Sequence, residues 1–199
     1  MLLYKKLKHV FLVCASLTIL CQLHFISSAI ASPVSFRLEN VRGDGHCMYH
    51  AIARGLTAAG RLNNGQPYNF QDLRNIAANY LENINNLNKQ GADLGHDASL
   101  LVMEMDGTTI EAYINNVRST ATWGGEVEMI LLSRALNFNV LTYSSRDGGI
   151  MPSDNQSPNQ PTVFLDWNGG HYQVYIPTQQ GVTEQDFRNF MQQEQVRRM

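Results

Sequence analysis

The segment Gly43–Ile52, Gly-Asp-Gly-His-Cys-Met-Tyr-His-Ala-Ile, constrains this 199-residue chain more than any other part of its sequence. Its two glycines and aspartate predict a sharp turn, and the residues that follow predict a helix. Cys47 therefore falls in the first helical turn, where unpaired backbone N–H groups and the helix dipole favour a thiolate over a thiol. Asp44 can accept a hydrogen bond from the N–H of His46 or Cys47, as an N-cap does. The segment predicts a reactive cysteine held by a turn.

The first 31 residues are typical of a targeting segment. The basic stretch Lys5–Lys8 precedes a largely apolar run over residues 10–26, and Ala29-Ile30-Ala31 fits a signal-peptidase site. We therefore expect residues 1–31 to be a signal peptide. Because the apolar run is long for that role, an uncleaved membrane anchor is the alternative. The protein is expected to be secreted or exported, including into a host cell, or else anchored in a membrane.

Cysteine use separates this segment from the rest of the chain. Cys14 and Cys21 lie in the targeting segment, so Cys47 is the single cysteine of residues 32–199. An exported domain with one cysteine contains no internal disulfide. A buried, inert thiol is the ordinary alternative, but the Asp-Gly turn before Cys47 favours a thiol that is kept for its reactivity.

Charge and motif content limit the ligands that the chain is expected to bind. The 15 basic and 17 acidic residues give a formal charge of −2, and no basic stripe predicts a nucleic-acid interface. Cys47 and His50 make only half of a zinc motif, and no glycine-rich phosphate loop is present. We expect no metal, no cofactor and no nucleic acid, with membrane contact only if residues 1–31 are retained. A monomer is expected.

Hydrophobic periodicity predicts an α+β fold for residues 32–180, with a small central sheet flanked by helices. Helices are predicted over 48–59, 69–88, 108–118 and 126–137, and strands over 36–41, 140–143, 162–165 and 172–176. Helices that come first and antiparallel strands that come late favour α+β, and a mixed sheet between helices is the alternative arrangement. Residues 144–161 are predicted to form a surface loop. Residues 181–199 are predicted to be a polar tail with a short, weakly anchored helix.

A cysteine hydrolase also needs a general base, for which histidine is the suitable residue. His50 lies three residues after Cys47 on the same helix face and is one candidate. His171 begins a strand after Gly169-Gly170, so a rigid sheet would hold it, as in other Cys–His pairs. His96, in a loop rich in Gly and Asp, is expected to be solvated. The residues alone predict an exported hydrolase of acyl or amide bonds that uses one cysteine.

An oxyanion needs backbone N–H donors beside the nucleophile. One N–H cannot comfortably serve both a cap and an oxyanion. We therefore expect Asp44 to accept the N–H of His46, leaving the N–H of Cys47 for the substrate.

Three motifs, in order along the chain, resemble those of the OTU (ovarian tumour) cysteine proteases. They are Asp44-Gly45-x-Cys47 before a helix, Trp123-Gly124-Gly125-Glu126-Val127-Glu128 opening a helix, and Asn168-Gly169-Gly170-His171-Tyr172 before a strand. The resemblance covers roughly residues 36 to 177. It implies a papain-like OTU fold and a deubiquitinase, a thiol protease that cleaves isopeptide bonds after the C-terminal glycine of ubiquitin or a ubiquitin-like protein.

The resemblance also implies roles for individual residues. Cys47 would be the nucleophile, His171 the general base, and Asp44 a further catalytic residue. The family usually carries Asp or Asn two residues after the histidine, where this chain has Gln173. Strand alternation places Gln173 on the face of His171, so its amide could orient the imidazole. Asp166 is a weaker candidate for that role.

Substrate contacts are expected around the tryptophan motif. Trp123 with Gly124 and Gly125 would line a narrow channel for a tail that ends in two glycines, and Gly45 would let the substrate backbone approach. The alternative interpretation of Trp123 is a core tryptophan at a helix start. Glu128 is expected on a solvated helix face rather than holding a loop near the site.

The predicted function is therefore an OTU-type deubiquitinase, exported as an effector. Two alternatives remain open from the sequence. One is a different Cys–His amidase or peptidase, such as a cell-wall enzyme. The other is a catalytically inactive ubiquitin-binding module, which the neutral Gln173 makes plausible.

Overall fold

The computed structural model describes residues 34–95, 97, 109–119, 122–154 and 156–198. Three predictions concern residues outside these ranges. They are the signal peptide or membrane anchor, the solvated position of His96, and the N-terminal boundary of the predicted 32–180 domain. No helix in the described ranges is both long enough and apolar enough to cross a bilayer.

A five-stranded sheet forms the centre of the fold. Its strands are β1 (Phe36–Glu39), β2 (Asn139–Ser144), β3 (Ile150–Pro152), β4 (Thr162–Trp167) and β5 (Tyr172–Pro177), in the order β1-β5-β4-β2-β3. The β2–β4 pair is parallel and the other three pairs are antiparallel. The predicted α+β fold with a small sheet between helices is confirmed, in its mixed-sheet form. β3 lies within the predicted 144–161 loop, and a three-residue edge strand is too short to give an alternating pattern.

Four helices cover one face of the sheet. They are α1 (Cys47–Ala58), α2 (Phe70–Lys89), α3 (Ile110–Arg118) and α4 (Glu126–Leu136), and their apolar side chains pack with those of β2, β4 and β5. Asn69 caps α2 as its sequence predicts, through a capping box with Asp72. Gly55 lets α1 lie directly on β4, because a Cβ there would be 2.5 Å from Val163 Cγ1. This close packing holds α1 against the sheet.

Helix α5 (Glu184–Arg198) covers the other face of the sheet. Phe187 and Met191 pack there against the apolar side chains of Phe36, Leu141, Tyr143, Phe164 and Tyr175. The expectation of a short, weakly anchored helix is wrong, since α5 has 15 residues and its Phe187 is fully buried. Phe187, Phe190 and Met191 share one face of the helix through their spacing, and this apolar face anchors an otherwise polar sequence.

Candidate active site

The turn that precedes α1, called here the nucleophile turn (Gly43–Cys47), has the predicted shape. Cys47 is the first residue of α1, so its N–H has no intrahelical acceptor. His46 is the N-cap residue, and its N–H donates to Asp44 Oδ1 at 3.1 Å. Gly45 has a φ of +87°, which favours glycine. Asp44 thus stabilises the turn from two residues before the N-cap, instead of forming the N-cap itself.

Cys47 and His171 come together although 124 residues separate them in sequence. The N–H of Tyr172, the first residue of β5, points at Cys47 Sγ at 3.5 Å. Gly43 lies against the His171 ring, since a Cβ there would be 3.8 Å from Cε1 and 4.0 Å from Nδ1. Asn168 Oδ1 accepts the N–H of His171 at 3.0 Å and holds the turn before β5. The structure therefore places the predicted nucleophile and base on adjacent, rigid elements.

Asn40 contacts the imidazole of His171 at Nε2. Its Oδ1 lies 3.0 Å from His171 Nε2 and also accepts from Gln173 Nε2 at 3.3 Å. An amide oxygen only accepts, so Nε2 carries the proton and Nδ1 keeps its lone pair. The prediction that Gln173 orients the ring directly is therefore corrected: Asn40 makes that contact, and Gln173 supports Asn40.

Strand register explains why Asn40 occupies this position. Asn40 directly follows β1, whose antiparallel pairing with β5 sets Glu39 opposite Val174. Because the two strands run antiparallel, the residue after Glu39 lies beside the residue before Val174. Asn40 is therefore at the end of β5 where Gln173 and His171 lie. The third candidate for this role, Asp166, instead accepts a hydrogen bond from Ser145 Oγ at 3.1 Å.

His50 binds Asp44, which argues against His50 as the general base. Its Nε2 lies 3.1 Å and 3.2 Å from the two carboxylate oxygens of Asp44. Burial is the largest single influence on Asp44 and raises its pKa, but the hydrogen bonds from His50 and the His46 N–H together hold that pKa below its ordinary value. Asp44 is thus kept as a carboxylate that braces the nucleophile turn.

The Trp123 loop (Thr122–Gly125) lies beside the nucleophile turn. Trp123 is 75% exposed, and a Cβ on Gly45 would be 3.6 Å from its Nε1. The alternative of a core tryptophan is therefore wrong, because the indole lies over the turn and faces solvent. A Cβ on Gly124 would be 2.7 Å from Tyr49 Cε2, so this glycine lets the loop pack closely against α1.

Glu128 holds the Trp123 loop from α4. It is 5% exposed, its Oε2 accepts the N–H of Gly125 at 2.7 Å, and its Oε1 accepts the hydroxyl of Tyr113. The expected solvated position for Glu128 is wrong. Burial, followed by the Glu128 charge, raises the pKa of Tyr113, so its hydroxyl stays a donor.

Arg74 of α2 is a residue of the site region that sequence reasoning missed. It is fully buried and bonds to the nucleophile turn and to the Trp123 loop. Its spacing from Phe70 and Ala77 places it on the apolar face of α2. A charged residue on that face was the signal in the sequence. No group of three or more His, Cys, Asp or Glu residues in the described ranges could hold a metal ion.

These groups together suit nucleophilic acyl chemistry. They comprise a thiol at a helix start, an imidazole with one nitrogen fixed by an amide, and the N–H of Cys47, which has no intrahelical acceptor. A thiol, a base and an oxyanion donor are what thioester formation requires.

Comparison with known proteins agrees with this chemistry. A protein of Tipula iridescent virus, named as a candidate ubiquitin thioesterase, is 26% identical over 145 residues, which are 71% of this chain and 16% of the viral protein. The chain thus spans about one sixth of the length of that curated relative. Among solved structures, an OTU domain in complex with ubiquitin has a TM-score of 0.56 at 20% identity, covering 80% of this chain and 84% of that one. An OTU deubiquitinase from Wolbachia pipientis has a TM-score of 0.50 at 12% identity, covering 77% and 95%.

The solved structures establish the shared fold, and the family comparison extends to the motifs. The family described as OTU-like cysteine protease matches residues 42–172, which include the nucleophile turn, the Trp123 loop and His171. The chain belongs to the OTU-like cysteine protease family.

Proposed function

We propose that the protein is a deubiquitinase that hydrolyses the amide or isopeptide bond after the C-terminal glycine of ubiquitin or a ubiquitin-like protein. The observation that carries the proposal is the meeting of Cys47 Sγ with the start of β5, where Asn40 fixes the ring of His171. Family membership supports the same chemistry. The viral relative named as a candidate ubiquitin thioesterase supports the choice of substrate.

The proposed reaction proceeds through a thioester on Cys47. His171 Nδ1 takes the thiol proton, and the thiolate attacks the carbonyl carbon of the terminal glycine. The N–H of Cys47 donates to the oxyanion that forms. When the C–N bond breaks, the imidazolium gives its proton to the leaving amine. His171 then activates a water that attacks the thioester, which releases the carboxylate and restores the thiol.

The Trp123 loop supports a substrate tail without side chains. Trp123 lies over Gly45 within the nucleophile turn, so the space beside the thiol is bounded by an indole and a backbone turn. Glycine residues pass such a gap with least steric conflict. Trp123, Gly45 and the backbone of Gly124–Gly125 are therefore the proposed contacts of the substrate tail.

A ubiquitin derivative with a C-terminal electrophile tests the proposal. The protein should form a covalent adduct at Cys47, identified by mass mapping of the labelled peptide, and should release a fluorophore from the ubiquitin C-terminus. Cys47→Ala, with its fold checked by circular dichroism, should do neither. Reaction with peptidoglycan fragments but not with ubiquitin would select a cell-wall amidase, and ubiquitin binding without an adduct would select an inactive binding module.

The sequence of residues 1–31 supports export, and we extend the proposal to an exported effector that acts as a monomer. Protein recovered from the culture medium should begin at Ser32 if the segment is cleaved as a signal peptide. Full-length protein in the membrane fraction would instead indicate an anchor. Light scattering of the purified protein measures the mass that decides the oligomeric state.

A further inference from the structure

Arg74 joins three parts of the fold through its guanidinium group. Nη1 donates to the carbonyl oxygens of Val117 and Ser119 at the end of α3, at 2.9 Å each. Nη2 contacts His46 Nδ1 at 3.1 Å and donates to the carbonyl oxygen of Thr122. One amino group thus binds the nucleophile turn and the Trp123 loop at once.

The charge of Arg74 is compensated in an unusual way for a fully buried arginine. Among the described residues, its neighbours are carbonyl oxygens, one imidazole nitrogen and the ring of Tyr49, whose centroid lies 4.4 Å from Cζ, and no carboxylate forms an ion pair with it. The end of α3 contributes its negative dipole. Each polar group bonded to Nη1 and Nη2 is therefore an acceptor, while Nε is buried with no hydrogen-bond partner in the part of the chain that the structure describes. The arrangement holds only while each acceptor remains one.

His46 is the one acceptor in this set that can be lost by protonation. Its Nδ1 must carry a lone pair to accept from Arg74, which fixes the neutral form of the ring. The ring stacks on Phe70 at 4.4 Å, and Asp44 and His50 are the other charged or titratable groups that face it. Burial, followed by the Arg74 charge, holds the pKa of His46 below 6.5, against the opposing effect of Asp44.

We infer that Arg74 is a positioning residue for Cys47 and Trp123, and that protonation of His46 breaks its link to the nucleophile turn in acid. A protonated His46 would present a second donor to Arg74 Nη2, which has no acceptor to offer. His46 lies directly before Cys47, so the turn that aims the thiol moves with it. Thr122 directly precedes Trp123, so the indole depends on the same nitrogen.

Alkylation of Cys47 by iodoacetamide tests the inference without any ubiquitin substrate, so its result is independent of the proposed function. The full-length protein is labelled at a series of pH values between about 5 and 8, and Cys47 is followed by peptide mass mapping. His46→Asn is the matched variant, because its amide oxygen can replace Nδ1 as acceptor but does not titrate. The ratio of the wild-type rate to the His46→Asn rate cancels titrations that both proteins share.

We expect this ratio to be constant near neutral pH. At pH values below the His46 pKa, it should fall by up to roughly tenfold per pH unit. kcat/KM for release of a ubiquitin-tail fluorophore should follow the same ratio. A ratio that stays flat across the series would overturn the role of His46 protonation.

Arg74→Met tests the positioning role separately. A displacement of the turn should lower kcat/KM on the order of 100-fold and change the acrylamide quenching of Trp123, measured in a Trp167→Phe background. Arg118→Met is the control, since Arg118 bonds to Asn79 and Glu82 at the surface, and it should alter neither quantity. Unchanged kinetics in a folded Arg74→Met protein would refute the inference. If that variant does not fold, the His46→Asn series still decides it.

Discussion

Asn40 gives His171 a neutral partner where a carboxylate would stabilise the imidazolium more strongly. Its Oδ1 receives both the imidazole N–H and the amide of Gln173, so its own orientation is fixed. A neutral partner sets the tautomer and direction of the ring but compensates less of the charge that develops during proton transfer. Asn40 thus mainly orients the ring of His171, whereas the carboxylate of Asp44 stabilises the nucleophile turn.

Asn40→Ala should therefore cost more activity than Gln173→Ala. General base catalysis contributes roughly 10²–10⁴-fold, and loss of the direct partner should remove about tenfold or more of it, whereas loss of Gln173 only frees Asn40 to rotate. Asn40→Asp should retain or raise activity because a carboxylate stabilises the imidazolium. kcat/KM on a ubiquitin-tail substrate measures all three variants. A larger loss in Gln173→Ala than in Asn40→Ala would return the orienting role to residue 173.

The two histidines near the thiol should differ sharply on substitution. His171→Ala removes the proposed base and should leave almost no turnover, while His50→Ala should cost little, since Asp44 keeps its hydrogen bond from the His46 N–H. Asp44→Ala should cost more than His50→Ala, because the turn loses its brace. The comparison uses kcat/KM at one pH near neutrality, and equal losses in the two histidine variants would contradict the assignment.

The sequence was sufficient to select candidates that lie in recognisable local motifs. Cys47, Asp44 and His171 each lie in a turn that glycines and an aspartate or asparagine specify, and these turns carry the resemblance to the OTU family. Asn40 was missed because its contact with His171 depends on the β1–β5 register across 131 residues. Arg74 was missed because the sequence does not show the carbonyl acceptors that explain a charged side chain on an apolar helix face.

At the scale of elements, the helix boundaries followed from periodicity and capping, and the errors arose where polar composition hid an apolar stripe. α1 was predicted to within a residue at each end, and the Asn69 cap of α2 was correct. α5 was underestimated because Phe187, Phe190 and Met191 are few among polar residues. The Trp123 loop was correctly connected with the site, but its tight contact with α1 required the structure.

Gly124→Ala should displace the Trp123 loop from α1. The added Cβ would lie 2.7 Å from the buried ring of Tyr49, and overpacking of this kind costs about 1–3 kcal/mol. Gly125→Ala is the matched control, because its φ of −138° suits any residue and its nearest contact would be 3.8 Å away at Glu128 Oε2. Urea unfolding is measured for both, since Gly125 is itself a proposed contact of the substrate tail and kcat/KM would not isolate packing. Equal effects in the two variants would show that Gly124 is not the packing constraint.

At the scale of the whole molecule, the sheet depends on both of its covering layers. Phe187 of α5 meets the rings of Phe36 and Phe164 at centroid distances of 5.0 and 4.8 Å. Phe187→Ala should lower the free energy of unfolding by about 3–5 kcal/mol. Val196→Ala, on the same helix but 74% exposed, should change it by less than about 0.5 kcal/mol. A small effect of Phe187→Ala would mean that α5 contributes little to the stability of the sheet.

The response of this fold to acid should come in two stages, because the groups with lowered pKa values start from different ordinary values. His46 is held below 6.5 by burial and Arg74, and Glu39 is held below 4.5, chiefly by its hydrogen bond from Arg54. A group with a lowered folded-state pKa contributes stability above its unfolded pKa and loses that contribution as pH falls through the folded value. The free energy of unfolding should therefore decline first below about pH 6.5 through His46, and again below about pH 4.5 through carboxylates with lowered pKa values, among them Glu39 and Glu111. Urea unfolding of the wild type, His46→Asn and Glu39→Gln across this range separates the stages. His46→Asn should remove only the upper decline and Glu39→Gln should reduce only the lower one, so an upper decline that persists in His46→Asn would assign it to another group.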